Sequence, residues 1–416
     1  HFMGKKIGVI GAGSAGVLSV IHLCTWLDNS WDIVSIHNPK KPILGIGEST
    51  NGGFVGLLER GLNFCLGNPE DMAALDATLK FGSKFMEWRE HSWINPLLDG
   101  NTAIHFNNTG FSQFAFKRLP ELWPQKFSQL LGDVQAIKPE PDRVVLTIDG
   151  QDHEFDYILN CMGFPSDFSD CTISDCSPIN RAWIHSLMPG DFTYEPYTDH
   201  IATKGGWMFG VALQSRKTLG YMYNDTLIDP EEAKQDMLRI LGAKEIDAAT
   251  GRGIHTAEYK FQSYYSNTVF QGRVGKNGNQ ALFFEPLIAN SIFLYIYTAR
   301  LFYDMVLGQA TDVQANAAFT NAVNQMEDTI SYYYQGGSTF DSEFWRYAVP
   351  FATQRIEKRD SFRAALAHYR HLKENGILHH GPDYAFAPKT WELVDDALGY
   401  GYIDESKKRV KLGVGA

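Results

Sequence analysis

The chain has 416 residues, of which 44% are hydrophobic and 20% charged. This balance excludes a largely disordered chain, and at roughly 150 residues per domain the length allows two or three lobes. Because 37 basic side chains face 48 acidic ones, the net charge is −11. Nucleic-acid-binding proteins usually show a basic surface, so no nucleic-acid partner is expected. The five cysteines match neither a zinc site nor a disulfide framework, which indicates a cytoplasmic location.

Two apolar stretches resemble a secretory signal or a membrane span, but their sequences favour other interpretations. The run that begins at Ile7 mimics a secretory signal, but its glycines and the lack of a clean cleavage site favour a folded strand and helix. Residues 291–307 contain Arg300 and Asp304, whereas a membrane span needs about 20 mostly apolar residues. We therefore expect no membrane partner. We also assign no metal, because the adjacent histidines 379 and 380 have no nearby partner ligands in the sequence.

The first motif lies near the N-terminus, where residues 6–16 read KIGVIGAGSAG. A short apolar strand is followed by Gly11-x-Gly13-x-x-Gly16 and then by an apolar helix to about Leu27. In a dinucleotide fold the first glycine makes the tight turn, the second admits a pyrophosphate, and the third allows helix and strand to pack closely. The pyrophosphate then lies at the positive end of the helix. The pattern predicts a dinucleotide site.

The end of the second predicted strand departs from this fingerprint. An acidic residue about 20 positions after the glycines normally binds a ribose hydroxyl, but the strand Asp32–Ile36 ends at His37. A neutral imidazole can also hydrogen-bond a hydroxyl. We predict that His37 contacts the cofactor, with an incidental surface position as the alternative.

A second glycine-rich segment, Gly45-Ile46-Gly47-Glu48-Ser49-Thr50, follows at once. With the first loop it resembles the flavin-dependent halogenases of the tryptophan-halogenase-like class, whose members carry a similar G-x-G-E-[AS]-T segment. Other segments that resemble the family in the same order are residues 78–89, 156–164, 196–198, 206–207, 279–291 and 341–346. We interpret the chain as a divergent member, and a phage gene is one origin that this divergence allows.

The resemblance implies an α/β fold with three parts. A FAD-binding Rossmann-like parallel sheet is interleaved with substrate-facing segments and followed by a C-terminal helical region. We place the FAD-binding lobe at residues 3–300, the substrate segments near 80–135 and 180–275, and the helical region at 301–416, packed as one body.

The resemblance also implies the chemistry. Reduced FAD (FADH2), oxygen and a halide ion give hypohalous acid, which travels to a lysine and reacts with an electron-rich aromatic carbon. By motif position Lys80 is that lysine and the catalytic residue, with Lys84 as the alternative. Alternation of Leu79, Phe81 and Phe85 with Lys80 and Lys84 predicts one strand, on which both lysines point the same way. A helix would also align these two lysines, because they are four residues apart.

Cofactor and halide contacts follow from the same segments. Asn290 and Ser291 occupy the positions whose backbone amides are expected to cup the halide, since such nests bind anions irrespective of side chain. The predicted FAD contacts are Gly11, Gly13, Ser14, Ala15, Gly16, His37, Gly47, Glu48, Ser49, Thr50, Asn279, Glu285 and Ile292.

Departures from the family pattern fall on the predicted substrate gate, Trp207, Phe209 and Ile288. Where the family carries W-x-W-x-I-P, residues 207–212 read WMFGVA, so only the first Trp is kept. Ile288 stands where the tryptophan halogenases have a catalytic glutamate. The sequence leaves open which group accepts the ring proton, with Glu285, Glu48 and water as candidates.

We therefore expect an FADH2-dependent halogenase acting on small phenols or indoles, with bromide or iodide favoured over chloride. Its expected partners are a separate flavin reductase and the aromatic substrate, and a homo-oligomer is allowed. A flavoprotein aromatic hydroxylase is the alternative enzyme. A non-catalytic flavin-fold binding protein is the third hypothesis.

Overall fold

The computed structural model describes residues 5–43, 48–97, 102–242, 246–247, 252–253, 257–288, 290–378 and 388–411. Within these residues the strands are, in chain order, β1 (Lys5–Ile10), β2 (Trp31–His37), β3 (Glu48–Ser49), β4 (Thr78–Lys80), β5 (Gly82–Met86), β6 (Trp93–Pro96), β7 (Ala103–Phe106), β8 (Phe127–Leu131), β9 (Val134–Pro139), β10 (Val144–Ile148), β11 (Gln151–Phe155), β12 (Tyr157–Asn160), β13 (Cys171–Ile173), β14 (Arg181–Leu187), β15 (Tyr197–Thr203), β16 (Gly206–Ala212), β17 (Lys217–Tyr223), β18 (Ile246–Asp247), β19 (Arg252–Gly253), β20 (Ala257–Lys260), β21 (Tyr264–Ser266), β22 (Phe270–Gln271), β23 (Val274–Lys276) and β24 (Leu282–Phe283).

The helices of the same residues are α1 (Ser14–Trp26), α2 (Gly52–Leu62), α3 (Pro69–Ala74), α4 (Asn108–Leu122), α5 (Pro230–Leu241), α6 (Asn290–Val306), α7 (Asp312–Tyr334), α8 (Glu343–Glu357), α9 (Asp360–Glu374) and α10 (Pro388–Leu398). Short 3-10 turns cover Gly278–Gln280 and Glu405–Lys407. In the described part of the chain, no helix combines the length and the apolar character that a bilayer crossing requires.

A six-stranded sheet with the order β22-β23-β12-β1-β2-β8 forms the nucleotide-binding half. All its neighbouring strands are parallel except the β22–β23 pair at one edge. Parallel sheets are covered on both faces and their strands are apolar throughout. The central strand β1 follows this rule, since residues 7–10 are buried, with Ile7 and Val9 fully inaccessible. The predicted α/β fold with a parallel sheet is confirmed.

The helix that follows the first glycine loop, α1, is apolar on all sides. Its residues 14–24 are all buried, because the helix lies against the sheet and also against α2, α4 and α6. Gly61 of α2 allows the close approach to α1, since a Cβ atom there would lie 2.3 Å from a methyl carbon of Ile21.

A second, seven-stranded sheet has the order β20-β14-β17-β16-β15-β5-β6. Its pairs are antiparallel except β15–β5. It is built from residues within the two predicted substrate-facing ranges. A small antiparallel sheet, β3-β7-β4, stands beside it and contributes Ser49 and Lys80 to the site.

The chain crosses between these two sheets at Phe81, and this breaks the single strand that alternation predicts. Lys80 ends β4, Gly82 begins β5, and the ring of Phe81 between them is 44% exposed. A Cβ atom on Gly82 would lie 2.4 Å from the carbonyl oxygen of Asn95, so β5 and β6 can approach this closely only with glycine there.

The C-terminal region of the chain is helical, as predicted. Helices α6 to α10 share the main hydrophobic core, and a buried ion network joins α7 to the segment at the end of α8. Arg355 contacts Glu327 at 2.7 Å, and Arg359 contacts both Asp328 and Glu327. Removing one partner of such a network leaves an uncompensated buried charge, which is strongly destabilising.

Candidate active site

The first glycine loop has the geometry that a pyrophosphate requires. Gly11 has φ +107° and a Cβ atom there would lie 2.3 Å from the carbonyl oxygen of Cys161. A Cβ atom on Gly16 would lie 2.1 Å from the carbonyl oxygen of Gly11. Gly13, by contrast, has no described residue within 4 Å of the position of a Cβ atom, and no described side chain caps the amides in the first turn of helix α1, which starts at Ser14. These amides and the open cradle fit a phosphate group.

The second predicted loop places Glu48 at the same helix start. The hydroxyl of Ser14 donates a hydrogen bond to Glu48 Oε1 at 3.1 Å, and the Asn108 side chain donates to it at 3.4 Å. Desolvation raises the pKa of Glu48 to about 7. Gly47 lies outside the described residues. The Thr50 hydroxyl donates to the carbonyl of Ile104 at 2.7 Å, which fastens this loop to β7.

His37 ends β2, beside the predicted nucleotide site. Its ring stacks on Phe116 with centroids 5.2 Å apart and planes 18° from parallel. Burial lowers the pKa of His37, so the imidazole is neutral at pH 7. Its Nδ1 atom is buried and has no hydrogen-bond partner among the described residues. A cofactor hydroxyl would satisfy this orphaned atom, which fits the prediction.

Two further predicted cofactor contacts, Asn279 and Ala15, lie where the 3-10 turn meets α1. Asn279 lies in the 3-10 turn, where its carbonyl accepts a hydrogen bond from Tyr264 and its Oδ1 accepts one from Tyr295 at 3.4 Å. The methyl group of Ala15 lies 2.7 Å from the position a Cβ atom of Gly278 would take. The turn therefore packs directly on α1, and glycine at 278 makes this possible.

Two of the predicted cofactor residues have side chains that point into the protein instead. Glu285 is fully buried, and one oxygen accepts hydrogen bonds from Trp207 at 3.2 Å and from Tyr334 at 2.7 Å, while the other accepts one from Ser177. Burial raises the pKa of Glu285 to about 7. The Ile292 side chain belongs to the main hydrophobic core. These contacts brace the loop, so a cofactor contact by either residue would use its backbone.

A cavity of about 190 Å³ lies where the small sheet, the seven-stranded sheet and the C-terminal helices meet. Its lining includes both Lys80 and Ile288, which the sequence placed in the site from segments about 200 residues apart. The lining residues that the structure describes are Thr50, Asn51, Lys80, Ser83, Phe85, Asn95, Pro96, Leu97, His200, Leu287, Ile288, Asn290, Phe293, Met326, Tyr333 and Thr390. None of these described residues is a carboxylate.

Lys80 is a buried cation-forming group in this wall, with 4% of its surface exposed. Its Nζ donates to the hydroxyl of Ser49 at 2.8 Å. Burial lowers the pKa of Lys80 to about 7. Lys84 is placed quite differently, because it pairs with Glu195 at 3.0 Å on the half-exposed side of β5. The prediction that both lysines point the same way is wrong, since the strand breaks at Phe81.

Behind Lys80 a row of polar groups leads away from the cavity. The Ser49 hydroxyl lies 2.6 Å from that of Thr198, which lies 2.8 Å from Nε2 of His105. The Nδ1 atom of His105 lies 3.3 Å from the Thr78 hydroxyl. Ser49, predicted as a cofactor contact, thus directs its side chain toward the lysine.

Of the three predicted gate residues, Ile288 is the one that lines the cavity. Trp207 is fully buried and its ring stacks on His200 at 5.6 Å, with Phe209 packed behind it. The ring that reaches the cavity is His200, which also stacks on Phe85 at 4.6 Å. Trp207 and Phe209 therefore lie behind His200 and are not among the described residues of the cavity lining.

The predicted halide residues stand at the first turn of α6. Asn290 is 3% exposed, lines the cavity, and finds no hydrogen-bond partner for either side-chain polar atom in the described part of the chain. Ser291 is the next residue of the helix. Backbone N–H groups at such a helix start are unpaired and attract anions, so the position fits a halide.

Sequence reasoning missed His105, Thr198, His200 and Tyr333. Histidines 105 and 200 have no other histidine or cysteine near them in their strands, and Thr198, although it lies in the segment 196–198 that resembles the family, is not singled out there by its side chain. The run of tyrosines 332–334 predicts core packing, which fits Tyr332 and Tyr334, but Tyr333 lines the cavity and stacks on Phe85. No sequence signal separates these residues from ordinary core positions.

Comparison with known proteins identifies the family. The family model of the tryptophan halogenases matches residues 6–140 and 101–412. The tryptophan 7-halogenase RebH of Lentzea aerocolonigenes is 21% identical over 467 aligned residues, covering 90% of this chain and 85% of the relative. The tryptophan 6-halogenase ThaL of Streptomyces albogriseolus is 22% identical over 453, covering 88% and 82%.

Solved structures agree on the fold. The tryptophan halogenase of Shewanella frigidimarina matches with a TM-score of 0.78 at 17% identity, over 100% of this chain and 92% of that one. The tryptophan 6-halogenase SttH of Streptomyces toxytricini matches with a TM-score of 0.77 at 17% identity, over 96% and 91%. The chain belongs to the tryptophan halogenase family and is an FADH2-dependent halogenase, an oxidoreductase that uses FAD together with a halide ion.

Proposed function

We propose that this enzyme halogenates small electron-rich aromatic compounds, such as phenols or indoles, with hypohalous acid presented by Lys80. The observation that carries the proposal is the placement of Lys80, buried in the wall of a cavity that it shares with Ile288. Among the described residues Lys80 has no carboxylate partner, and burial of a lysine in such surroundings costs stability, so its position supports a chemical role.

The ionisation of Lys80 suits the delivery of hypohalous acid. When bound, reduced flavin supplies the oxidation of halide by oxygen. Because burial lowers the pKa of Lys80 to about 7, both the ammonium and the amine are present near neutral pH. The ammonium donates a hydrogen bond to the hypohalous oxygen, and the amine is nucleophilic enough to form a haloamine. In either case the ring carbon gains the halogen, its proton is lost, and the oxygen leaves as water.

Ile288 directs the proposal toward substrates that need no dedicated base. The described residues of the cavity lining hold no carboxylate to accept the ring proton. Glu285, one candidate from the sequence, is held by Trp207, Tyr334 and Ser177 away from the lining. The ring intermediate of a phenol or indole is acidic enough to lose its proton to water.

The same lining disfavours an amino-acid substrate. Free tryptophan carries an ammonium group, which a buried site would normally pair with a carboxylate, and the lining that the structure describes offers none. An apolar cavity of about 150 Å³ is large enough to bind benzene, so about 190 Å³ matches a small ring system. RebH and ThaL are named for action on tryptophan, and we propose that this enzyme differs from them.

The choice of halide, the reductase and the location complete the proposal. Bromide and iodide are easier to oxidise than chloride, so a site that departs from the family pattern favours them. We find one G-x-G-x-x-G fingerprint and no second one for a nicotinamide, which supports supply of FADH2 by a separate reductase. A cytoplasmic location is part of this proposal, and a homo-oligomer is allowed.

A product assay tests the function directly. The enzyme is incubated with a reductase, FAD, oxygen and either bromide or chloride, and a panel of phenols, indoles and tryptophan is analysed by mass spectrometry. We expect a bromine mass gain on phenols or indoles and little product from tryptophan. A gain of one oxygen that is independent of halide would identify a hydroxylase instead. Tenfold higher kcat/KM for tryptophan, with one regioisomer, would contradict the proposed substrate class.

A further inference from the structure

The hydrogen bond at the far end of the row of polar groups behind Lys80 sets the direction of the row. The Thr78 hydroxyl donates to the carbonyl oxygen of Ala212, which can only accept. Its oxygen is then left to accept from Nδ1 of His105. His105 therefore carries its proton on Nδ1, and its Nε2 is an acceptor.

With its proton on Nδ1, His105 determines which atom donates in each hydrogen bond between it and the cavity. Nε2 of His105 must accept from the Thr198 hydroxyl at 2.8 Å. The Thr198 oxygen is then free to accept from Ser49 at 2.6 Å, and the Ser49 oxygen to accept from Lys80 at 2.8 Å. Each hydroxyl uses its single proton on the side away from the lysine, so Lys80 meets only an acceptor in this row.

We propose that His105 is a positioning residue, which acts through Thr198 and Ser49 to hold Lys80 as a hydrogen-bond donor at the cavity wall. This inference rests on the proposed role of Lys80 in delivering the oxidant. With one N–H bonded to Ser49, the remaining protons of the ammonium are directed to the cavity. The side chain of a lysine is otherwise flexible, and a fixed donor aligns the reacting atoms.

Other titratable groups near Lys80 do not supply this effect. His200 on β15 faces the cavity and, like His105 on β7, has a pKa that burial lowers to about 3, so both rings are neutral. Lys217 on β17, whose charge acts on His105, forms an ion pair with Asp199 at 2.5 Å. Among the described residues, therefore, the direction of the hydrogen bonds in the row favours the ammonium form of Lys80.

Breaking the row should reverse its direction. In Thr198→Val the Ser49 hydroxyl loses its acceptor and turns to donate to the amine of Lys80. In His105→Phe the Thr198 hydroxyl turns to Ser49 with the same result. Both changes favour neutral Lys80, so its pKa falls, by about one unit, which corresponds to about 1.4 kcal/mol. In His105→Gln the amide oxygen replaces Nε2 as the acceptor, and the pKa should recover.

The pKa of Lys80 can be measured without relying on turnover. In protein labelled with [ε-13C]lysine and saturated with oxidised FAD, the Lys80 signal is assigned by its loss in Lys80→Met and followed against pH. A downward shift in Thr198→Val and His105→Phe, with recovery in His105→Gln, supports the proposal. The matched control is His185→Phe, another buried histidine, on β14, which should leave the pKa unchanged.

Failure of the inference and failure of the proposed function give different results. An unchanged Lys80 pKa in folded Thr198→Val, whose valine has the shape of threonine, overturns the inference even if wild-type enzyme halogenates phenols. A wild-type enzyme that makes no halogenated phenol or indole overturns the proposed function whatever the titration shows. The pH profile of halogenation should shift with the NMR pKa, a change that a purely structural role of His105 would not produce.

Discussion

The nucleotide end and the lysine end of the site are built by different means. The nucleotide end consists of backbone: two close glycine contacts, an open position at Gly13 and the free amides of α1, all within a few residues. The lysine end consists of side chains from the small sheet, the seven-stranded sheet and three helices. A backbone site is damaged by any added side chain, whereas a side-chain site depends on charge and on hydrogen-bond direction.

The largest expected effects come from the first glycine loop, where the same substitution at two glycines should have different results. We expect Gly16→Ala to destabilise the fold, because its Cβ atom would lie 2.1 Å from a backbone oxygen. Overpacking of this kind costs about 3 kcal/mol, which exceeds the gain of about 1 kcal/mol from replacing glycine in a helix. Gly13→Ala meets nothing in the described protein, so it should keep normal stability while FAD affinity falls at least about tenfold.

Urea unfolding and FAD titration of the two variants separate these effects. Each variant serves as the control for the other, because both change one glycine to alanine within four positions. Normal FAD affinity in folded Gly13→Ala would show that the pyrophosphate does not lie there.

Replacing Lys80 tests the lysine end of the site. We expect Lys80→Met to lower halogenation at least about 100-fold, in the range of a missing catalytic group, while oxidation of FADH2 continues. Lys84→Met is the matched control, because its pair with Glu195 is half-exposed and contributes little. Loss of product in Lys84→Met, with Lys80→Met still active, would move the role to Lys84.

The Lys80→Met substitution should also stabilise the protein. The pKa of Lys80 is about 7 when folded, against an ordinary value of 10.5. Between these values the unfolded chain binds the extra proton, so lysine lowers stability as pH falls from 10.5 to 7. Lys80→Met removes this penalty, and we expect a gain of about 2 kcal/mol at about pH 7 that shrinks as the pH approaches the ordinary lysine pKa. Urea unfolding of both proteins at about pH 7 and near the ordinary lysine pKa measures this gain in stability. An equal gain at the two pH values would contradict the prediction.

Ile288→Glu places a carboxylate in the cavity that Lys80 also lines and should change the ionisation of Lys80. A nearby negative charge favours the ammonium, so the pKa of Lys80 should rise by about one to two units. If the ammonium delivers the oxidant, the upper limit of the pH–rate profile moves up equally. Ile288→Gln, of the same size as glutamate but uncharged, is the control. A profile that is the same in both variants would show that the introduced carboxylate does not interact with Lys80.

The difference between the two ends also explains what the sequence can predict. The glycine loop is predictable because residues 6–16 are contiguous and the glycines are required by the local backbone geometry. The strand–helix order around it follows from the apolar pattern, as does the helical C-terminal region. Lys80 is found only because its segment resembles the family, since burial of a lysine runs against its usual exposure.

The rest of the lysine end depends on the tertiary fold. Phe81 has the alternation of a continuous strand, yet the chain leaves one sheet for another there because β5 pairs closely with β6 at Gly82. His105 and Thr198 lie 93 positions apart and meet only through the arrangement of β7 and β15. Local periodicity holds no information about such a pairing.

The smallest expected effect returns to the nucleotide end, where the His37 side chain presents an orphaned atom. In His37→Phe the stacking on Phe116 is kept, but the Nδ1 atom that lacks a partner among the described residues is removed. One hydrogen bond contributes about 1 kcal/mol, so the Kd for FAD should rise about fivefold with no loss of stability. His22→Phe is the control, because that histidine is also buried on this half of the protein but packs on Tyr303. If fluorescence titration gives the same Kd for His37→Phe and wild type, the imidazole does not contribute to binding of the cofactor.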